Sequence, residues 1–333
     1  MSWIYGIFNT QLQCDFPLPD LPEVTSAEGD CEITIHLFEP GQLETDGFEM
    51  AFEWHDYDGI VICWCERRDD DYLFVFPGRT KFLITTGGEI SCLMHADSEM
   101  QILRHLLLNQ IIPRYLATKG HLVLHASAVI LENGHSVAFL GNSGYGKSTL
   151  VSSFHRNGAW LIDDDCILLE PSGSGVKAIG GFPGIRLFPD SVNAVFNEGA
   201  GFTHYTPYSD KQQMMLRSDS ESGSMVPREL DALFLLFDPS HEDLGDEVLI
   251  EPASGSKAML ATIFSAFSLD PSDRTLITRD FVNIGQTISD HLNVFSLRYP
   301  RDHDRLPEVR KAVSDWVEGG TRTKSGLAMG SSK

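Results

Sequence analysis

Short apolar runs broken by turn residues occupy the first hundred positions of the chain, and the spacing of apolar residues then changes. Residues 6–8, 32–38, 60–64 and 72–76 are rich in β-branched and aromatic side chains and predict strands. Pro17-Leu18-Pro19-Asp20-Leu21-Pro22, Glu28-Gly29-Asp30 and Arg67-Arg68-Asp69-Asp70-Asp71 supply the turns between them. From 98 to 118, Met100, Leu103, Leu106, Leu107 and Ile111 recur at helical spacing up to Pro113. This helix is expected to join a β-rich amino-terminal domain, 1–97, to a second domain, 98–318. There the apolar runs 122–130 and 136–140 flank Asn133-Gly134, a hairpin turn pair. Residues 160–162, 167–169, 233–237 and 294–299 predict further strands. Residues 257–267 and 307–317 predict helices, the last with Val309, Val313 and Trp316 on its apolar face. Residues 197–228 are polar and aperiodic and are expected to form a mobile lid, with 218–224 its loosest stretch. A disordered tail is expected over 319–333.

Composition narrows the class. The 333 residues are 42% hydrophobic and 22% charged, which suits two globular domains with sizeable cores. Forty-seven acidic against 25 basic residues give a net charge of −22, so phosphate-rich partners are repelled and neither nucleic acid nor an anionic membrane is expected. No apolar run approaches the ~20 residues of a membrane span, and the start of the chain does not read as a signal peptide. The six cysteines fit no zinc spacing and are expected as buried free thiols in a reducing cytoplasm.

The candidate chemistry is concentrated in residues 141–149, Gly141-Asn142-Ser143-Gly144-Tyr145-Gly146-Lys147-Ser148-Thr149, a complete G-x-x-x-x-G-K-[ST] phosphate-binding loop. An apolar run that suits a strand precedes it, and helical spacing follows it. Glycines let the backbone wrap a phosphate chain, and the N–H groups at the helix start attract the anion. Lys147 would carry charge to the β/γ-phosphates, and Ser148 would offer its hydroxyl to Mg²⁺. Three nearby segments could supply the rest of a reaction. Asp163-Asp164-Asp165 follows an apolar run, so its carboxylates should emerge at a strand end, where they can hold a metal or take a proton. His125 interrupts an apolar strand whose successor leads into the loop. Arg186 and Lys211 could neutralise a transferring phosphoryl group.

In this order the pieces resemble the HPr kinase/phosphorylase family and its looser relatives, which include kinases of lasso-peptide gene clusters. The resemblance is carried by His125-Ala126-Ser127, by 141–148, and by Leu161-Ile162-Asp163-Asp164-Asp165, with Asp164 and Asp165 on the paired aspartates and Asp163 in a variable slot. It implies an α/β fold: a phosphoenolpyruvate-carboxykinase-like P-loop nucleotide domain with a mixed sheet, beside the β-rich amino-terminal domain. It also implies ATP and Mg²⁺ as cofactors, Asp164 with His125 at the acceptor hydroxyl, and Asp165 with Ser148 on the metal. The Arg-Gly-rich signature of the bifunctional enzymes is absent, and Gly180-Gly181-Phe182-Pro183-Gly184 stands in its approximate place. HPr is therefore not the expected acceptor. A serine of a peptide or protein comes first, a small hydroxylated molecule second. The alternative from another class is a nucleotide-responsive binding protein without transfer. The oligomeric state, homo-oligomer included, is left open.

Overall fold

A computed structural model describes the chain from residue 2 to 327, except 25–30, 57, 86, 174, 197–199, 207–208, 217–224 and 241–244, and except the side chains of 205–206, 288–291 and 320–327. It is a mixed α/β structure with several sheets. Eight strands form the first: β1 (Trp3–Ile7), β2 (Thr10–Cys14), β3 (Ile33–Phe38), β4 (Glu49–His55), β5 (Val61–Arg68), β6 (Asp71–Phe76), β7 (Thr80–Ile84) and β8 (Glu89–Met94). Their order is β1-β2-β3-β8-β7-β6-β5-β4.

One continuous helical rod packs on this sheet: α1 (Met100–Leu106), a π-helical turn (Leu107–Ile111) and α2 (Ile112–Thr118). Leu103, Leu107, Ile111 and Tyr115 bury with Ile33, Ile35, Phe82 and Ile90 in one cluster, as the helical spacing of the apolar residues requires. The rod does not stop at Pro113. A proline ring normally clashes with the carbonyl four residues back, and the wider turn just before it relaxes that register. The same cluster takes in Val123, Cys166, Leu168, Ile179 and Phe182. The amino-terminal sheet thus shares a core with the rest of the chain.

The remaining elements are β9 (Leu122–Leu124), β10 (Ala126–Ile130), β11 (Ser136–Leu140), α3 (Lys147–Arg156), β12 (Trp160–Asp163), β13 (Ile167–Ser172), β14 (Gly175–Gly180), β15 (Gly184–Leu187), α4 (Pro189–Val195), β16 (Thr203–Thr206), β17 (Ser209–Met215), β18 (Arg228–Glu229), β19 (Ala232–Leu235), β20 (Leu249–Pro252), α5 (Gly255–Ser265), α6 (Arg274–His291), β21 (Val294–Arg298) and α7 (Leu306–Leu327). The central six-stranded sheet runs β12-β10-β11-β19-β21-β20. It is mixed: β11, β19 and β21 are parallel, while β10, β12 and β20 run against their neighbours.

Two neighbouring chain segments change sheets at the same level, and this creates the site. The apolar run 122–130 is not one strand. It bends at His125, so that β9 pairs with β13 in a four-stranded sheet while β10 pairs with β11 and β12 in the central one. The chain crosses back between β12 and β13, through Asp164, Asp165 and Cys166. Gly180 permits this close approach, since a Cβ there would lie 2.1 Å from the Ile162 carbonyl oxygen.

Three further expectations change. Residues 197–228 are not an irregular lid throughout: β16 and β17 form a hairpin that pairs with β15. The loose stretch expected at 218–224 lies outside the described residues. Helix α6 has no counterpart in the sequence reading. Helix α7 carries helical backbone past Gly319 to Leu327, and 328–333 lie outside the described residues. Among the described residues no helix is long and apolar enough to cross a membrane, and all six cysteines are free thiols.

Candidate functional site

The phosphate loop connects β11 to α3 at the end of the parallel strands. Val137 and Phe139 on β11, Leu150, Val151 and Phe154 on α3, and Phe234 on β19 bury together, which fixes the angle between strand and helix. Gly144 and Gly146 adopt φ of 84° and 86°, left-handed conformations in which a side chain is strained. Gly146 precedes the first residue of α3, leaving the opening N–H groups of that helix available to an anion.

An open cavity of about 170 Å³ lies against this loop. Pockets for whole ligands run to about 300–1,000 Å³, so this one has room for a phosphate chain rather than a complete nucleotide. Ser143, Gly144, Gly146, Lys147, Ser148 and Thr149 line one side, and His125, Asp165, Arg186 and Lys211 line the other. Ten residues singled out from the sequence therefore meet in one space. Gly141, Tyr145 and Asp164 do not line it. The Tyr145 hydroxyl instead donates to Asp238 Oδ2 at 3.2 Å.

Lys147 is turned back onto its own loop. Its Nζ donates to the carbonyl oxygens of Gly141 at 2.6 Å and Asn142 at 3.2 Å. Burial lowers its pKa to about 8, which still leaves it mostly charged at neutral pH. Lys211 has no carboxylate within ion-pair distance among the described residues, and its Nζ sits 5.4 Å from the centre of the Phe188 ring.

The three aspartates occupy three environments. Asp163 is structural: its Oδ1 accepts from the N–H groups of Asp165 and Cys166, and its Oδ2 from those of Gly181 and Phe182. Asp164 is also buried. Its Oδ2 accepts from the Arg186 N–H at 2.9 Å, and its backbone oxygen accepts from the Ser127 hydroxyl at 2.6 Å. The Ser127 hydroxyl also lies 3.2 Å from its Oδ1. Asp165 faces the cavity and forms an ion pair with Arg186. Burial and the charge of Asp165 raise the pKa of Asp164. Burial alone would raise Asp165 too, but Arg186 and Lys211 outweigh it and hold that carboxyl well below the usual range. Adjacent carboxyls pushed apart in this way can divide labour, one staying ionised while the other exchanges a proton near neutral pH.

His125 sits at the strand crossing, where its N–H donates to the Ser265 carbonyl at 2.7 Å. Burial, then the charge of Lys147, pushes its imidazole down to about 3, so it is neutral.

The donor set suits Mg²⁺, which takes one or two carboxylates plus substrate phosphates rather than a cage of protein ligands. Ser148 and Asp165 line the cavity with hard oxygen atoms. Among the described residues there is no group of three or more His, Cys, Asp or Glu that could form a cage.

Besides Leu187, Phe188, Asp190 and Ser191, which also line the cavity, two residues around it escaped the sequence reading. Asp238 follows the apolar run 233–237 on a strand parallel to the loop strand, a pattern that could have been noticed. His105 lies among the apolar residues of α1, and its Nδ1 is 2.7 Å from Arg186 Nη1. Nothing local in the sequence marks it.

No family model matches the chain, and no curated protein matches it. Among solved structures it is similar to an Hpr(Ser) kinase/phosphatase from Coxiella burnetii, at 13% identity and a TM-score of 0.37, over 63% of this chain and 99% of that one. That overlap is too slight to assign a family, and the functional reading rests on the site itself.

Proposed function

We propose that the protein is an ATP- and Mg²⁺-dependent phosphotransferase acting on a hydroxyl group. The observation that carries this reading is the meeting, in one phosphate-sized cavity, of a complete phosphate loop with a carboxylate, an arginine and a lysine from remote strands. A loop that only binds nucleotide does not require them. Phosphoryl transfer does, because its catalysis is mainly positioning and neutralisation of charge.

In this reading the phosphates lie on 143–149, and Lys147 leaves the Gly141 carbonyl to meet them. Ser148 and Asp165 hold Mg²⁺, which neutralises charge on the phosphates when bound. Asp164 orients the acceptor hydroxyl and takes its proton, since its raised pKa suits a base working near neutral pH. His125 stays neutral beside them, and Arg186 and Lys211 face the transferring group.

For the acceptor, a serine of a peptide or protein is favoured by a second opening. Asp20, Gln101, Arg104, Thr203, Gln213 and Met215 line a polar groove of about 410 Å³. Alternation along β17 puts Lys211, Gln213 and Met215 on one face, so the same strand face serves both spaces. The Gln213 amide is buried, and its Oε1 has no partner among the described residues. A peptide held at the catalytic cavity can extend into this groove and bring backbone N–H donors to it, where a small alcohol bound at the cavity ends short.

The test is transfer of labelled γ-phosphate from ATP to three acceptor pools: free serine, a panel of sugars and alcohols, and a degenerate library of serine peptides. Label on any pool, with matching ADP, supports the reading. Nucleotide bound with no ADP from any pool favours the nucleotide-responsive binding protein.

A further inference from the structure

The helical rod that carries the amino-terminal sheet reaches the cavity wall through His105. His105 lies in the last turn of α1 and is 7% exposed. Across from it is Arg186 on β15, whose Nη1 lies 2.7 Å from Nδ1 and 3.1 Å from Nε2 of the ring. The same guanidinium reaches Asp165 through Nη2. His105 is held in turn by Asn109, whose Nδ2 is 3.1 Å from both Nδ1 and the carbonyl oxygen of His105. Asn109 is 2% exposed and belongs to the π-helical turn. The Arg186 contact to Nδ1 is the shorter of the two, and Asn109 reaches the same nitrogen, so a neutral ring that keeps its Nδ1 lone pair can accept from both.

A buried cation beside an imidazole is tolerable only if the imidazole is neutral. Burial, reinforced by Arg186, holds the pKa of His105 well below its ordinary value. A neutral ring keeps a lone pair for the guanidinium, whereas an imidazolium would repel it. Arg186 is therefore gripped from two sides, by a carboxylate in front and an imidazole behind. An ion pair alone leaves a long side chain free to pivot about its partner, and a second acceptor removes that freedom. The π-helical turn has a stated use here, because widened turns of this kind gather at functional sites.

We propose that His105 is a positioning residue: held by Asn109 from the π-helical turn, it fixes the Arg186 guanidinium in the cavity wall so that this cation meets the transferring phosphoryl group already aligned. The proposal rests on the phosphotransfer reading for its kinetic consequence but not for its structural one. Arg186 is the group that acts, and His105 acts only through it.

Two variants test this. His105→Leu fills the space but cannot accept a hydrogen bond, and His105→Gln keeps an acceptor. Rotation of the Arg186 guanidinium, measured by nitrogen-15 NMR, should be slow in the wild type, become fast in His105→Leu and stay slow in His105→Gln. With an acceptor that the wild type phosphorylates, His105→Leu should lower kcat by roughly 10- to 100-fold with little change in the KM for ATP. His105→Gln should recover most of the loss. Slow guanidinium rotation retained in His105→Leu would overturn the proposal, whatever the protein's activity. Equal kcat losses in both variants, tracking their melting temperatures, would also overturn it and reduce His105 to core packing. Faster rotation in His105→Leu alone, in a protein that phosphorylates nothing, would uphold the positioning role and remove the phosphotransfer reading.

Discussion

The two sides of the cavity are built in opposite ways. The loop side is one contiguous stretch, 143–149, whose shape is set locally by left-handed glycines and the start of α3. The facing side is assembled from His125, Asp165, Arg186 and Lys211, brought together only by the folding of separate strands. Their charges are satisfied differently as well. Lys147 rests on backbone carbonyls of its own loop, whereas Arg186 rests on the side chains of Asp165 and His105. A cation on neutral carbonyls is readily transferred to a phosphate. A cation paired with a carboxylate is released only where that carboxylate finds another partner. The loop side is thus suited to binding and the facing side to chemistry.

The largest expected break comes on the loop side. Lys147→Ala should abolish transfer and weaken ATP binding on the order of 100-fold, because a charged hydrogen bond contributes about 1.5–3 kcal/mol. Calorimetric titration with ATP and Mg²⁺ checks it, and wild-type affinity would mean that the nucleotide binds elsewhere. On the facing side the balance should reverse. Arg186→Met is expected to lower kcat by about 10³-fold with a smaller effect on ATP affinity. It also leaves Asp165 as a buried, unpaired carboxylate, which costs about 3 kcal/mol of stability, measurable by chemical denaturation. Retention of normal kcat in that variant would remove Arg186 from the chemistry.

Asp164→Asn sharpens the contrast within the acidic pair. The amide cannot accept a proton, so kcat should fall by roughly 10²-fold while ATP affinity holds. Because the pKa of Asp164 is raised, the wild-type rate should climb with pH above the ordinary carboxylate range, as the base ionises, and Asp164→Asn should lose that limb. Loss of the limb in Asp165→Asn instead would exchange the two roles. Removing one charge also shifts its neighbour, so both variants need full profiles.

How far the sequence reached follows the same division. The phosphate loop and the acidic run were legible because each is contiguous and its chemistry is stated by residue type and spacing. The Asn133-Gly134 turn makes the antiparallel pairing of β10 and β11 legible, whereas the mixed sheet is what the family resemblance implies. His125 was placed within a strand, since an apolar run looks alike whether it stays in one sheet or passes to the next; only the pairing of β9 and β10 with different partners reveals the bend. The hairpin of β16 and β17 was hidden by its polar residues, Lys211 and Gln213 among them, because that sheet has a polar face toward the cavities. His105 was illegible for a simpler reason. Its partner is 81 positions away, and no periodicity marks a histidine on the buried face of a helix.

At neutral pH the smallest expected effect concerns stability at the crossing. The pKa of His125 is pushed down to about 3 in the folded chain, against about 6.5 when unfolded. The unfolded chain therefore binds the extra proton first. The contribution of the buried neutral ring is complete above about pH 6.5 and is lost as pH falls toward 3. The melting temperature of the wild type should drop more steeply over that window than that of His125→Gln, by differential scanning calorimetry. Parallel curves would mean that the cavity keeps the ring hydrated and its pKa near the unfolded value.

The central claim is that the facing side turns bound ATP into a phosphoryl donor for a hydroxyl. Single-turnover transfer from γ-labelled ATP, run on the wild type and on Arg186→Met at saturating nucleotide, tests it most directly. The account predicts label on a hydroxyl acceptor with one ADP formed per label transferred, and the same reaction slowed about 10³-fold in Arg186→Met although ATP stays bound. ATP bound by both proteins, with no label moved to serine, serine peptides, sugars or alcohols by either, would contradict it.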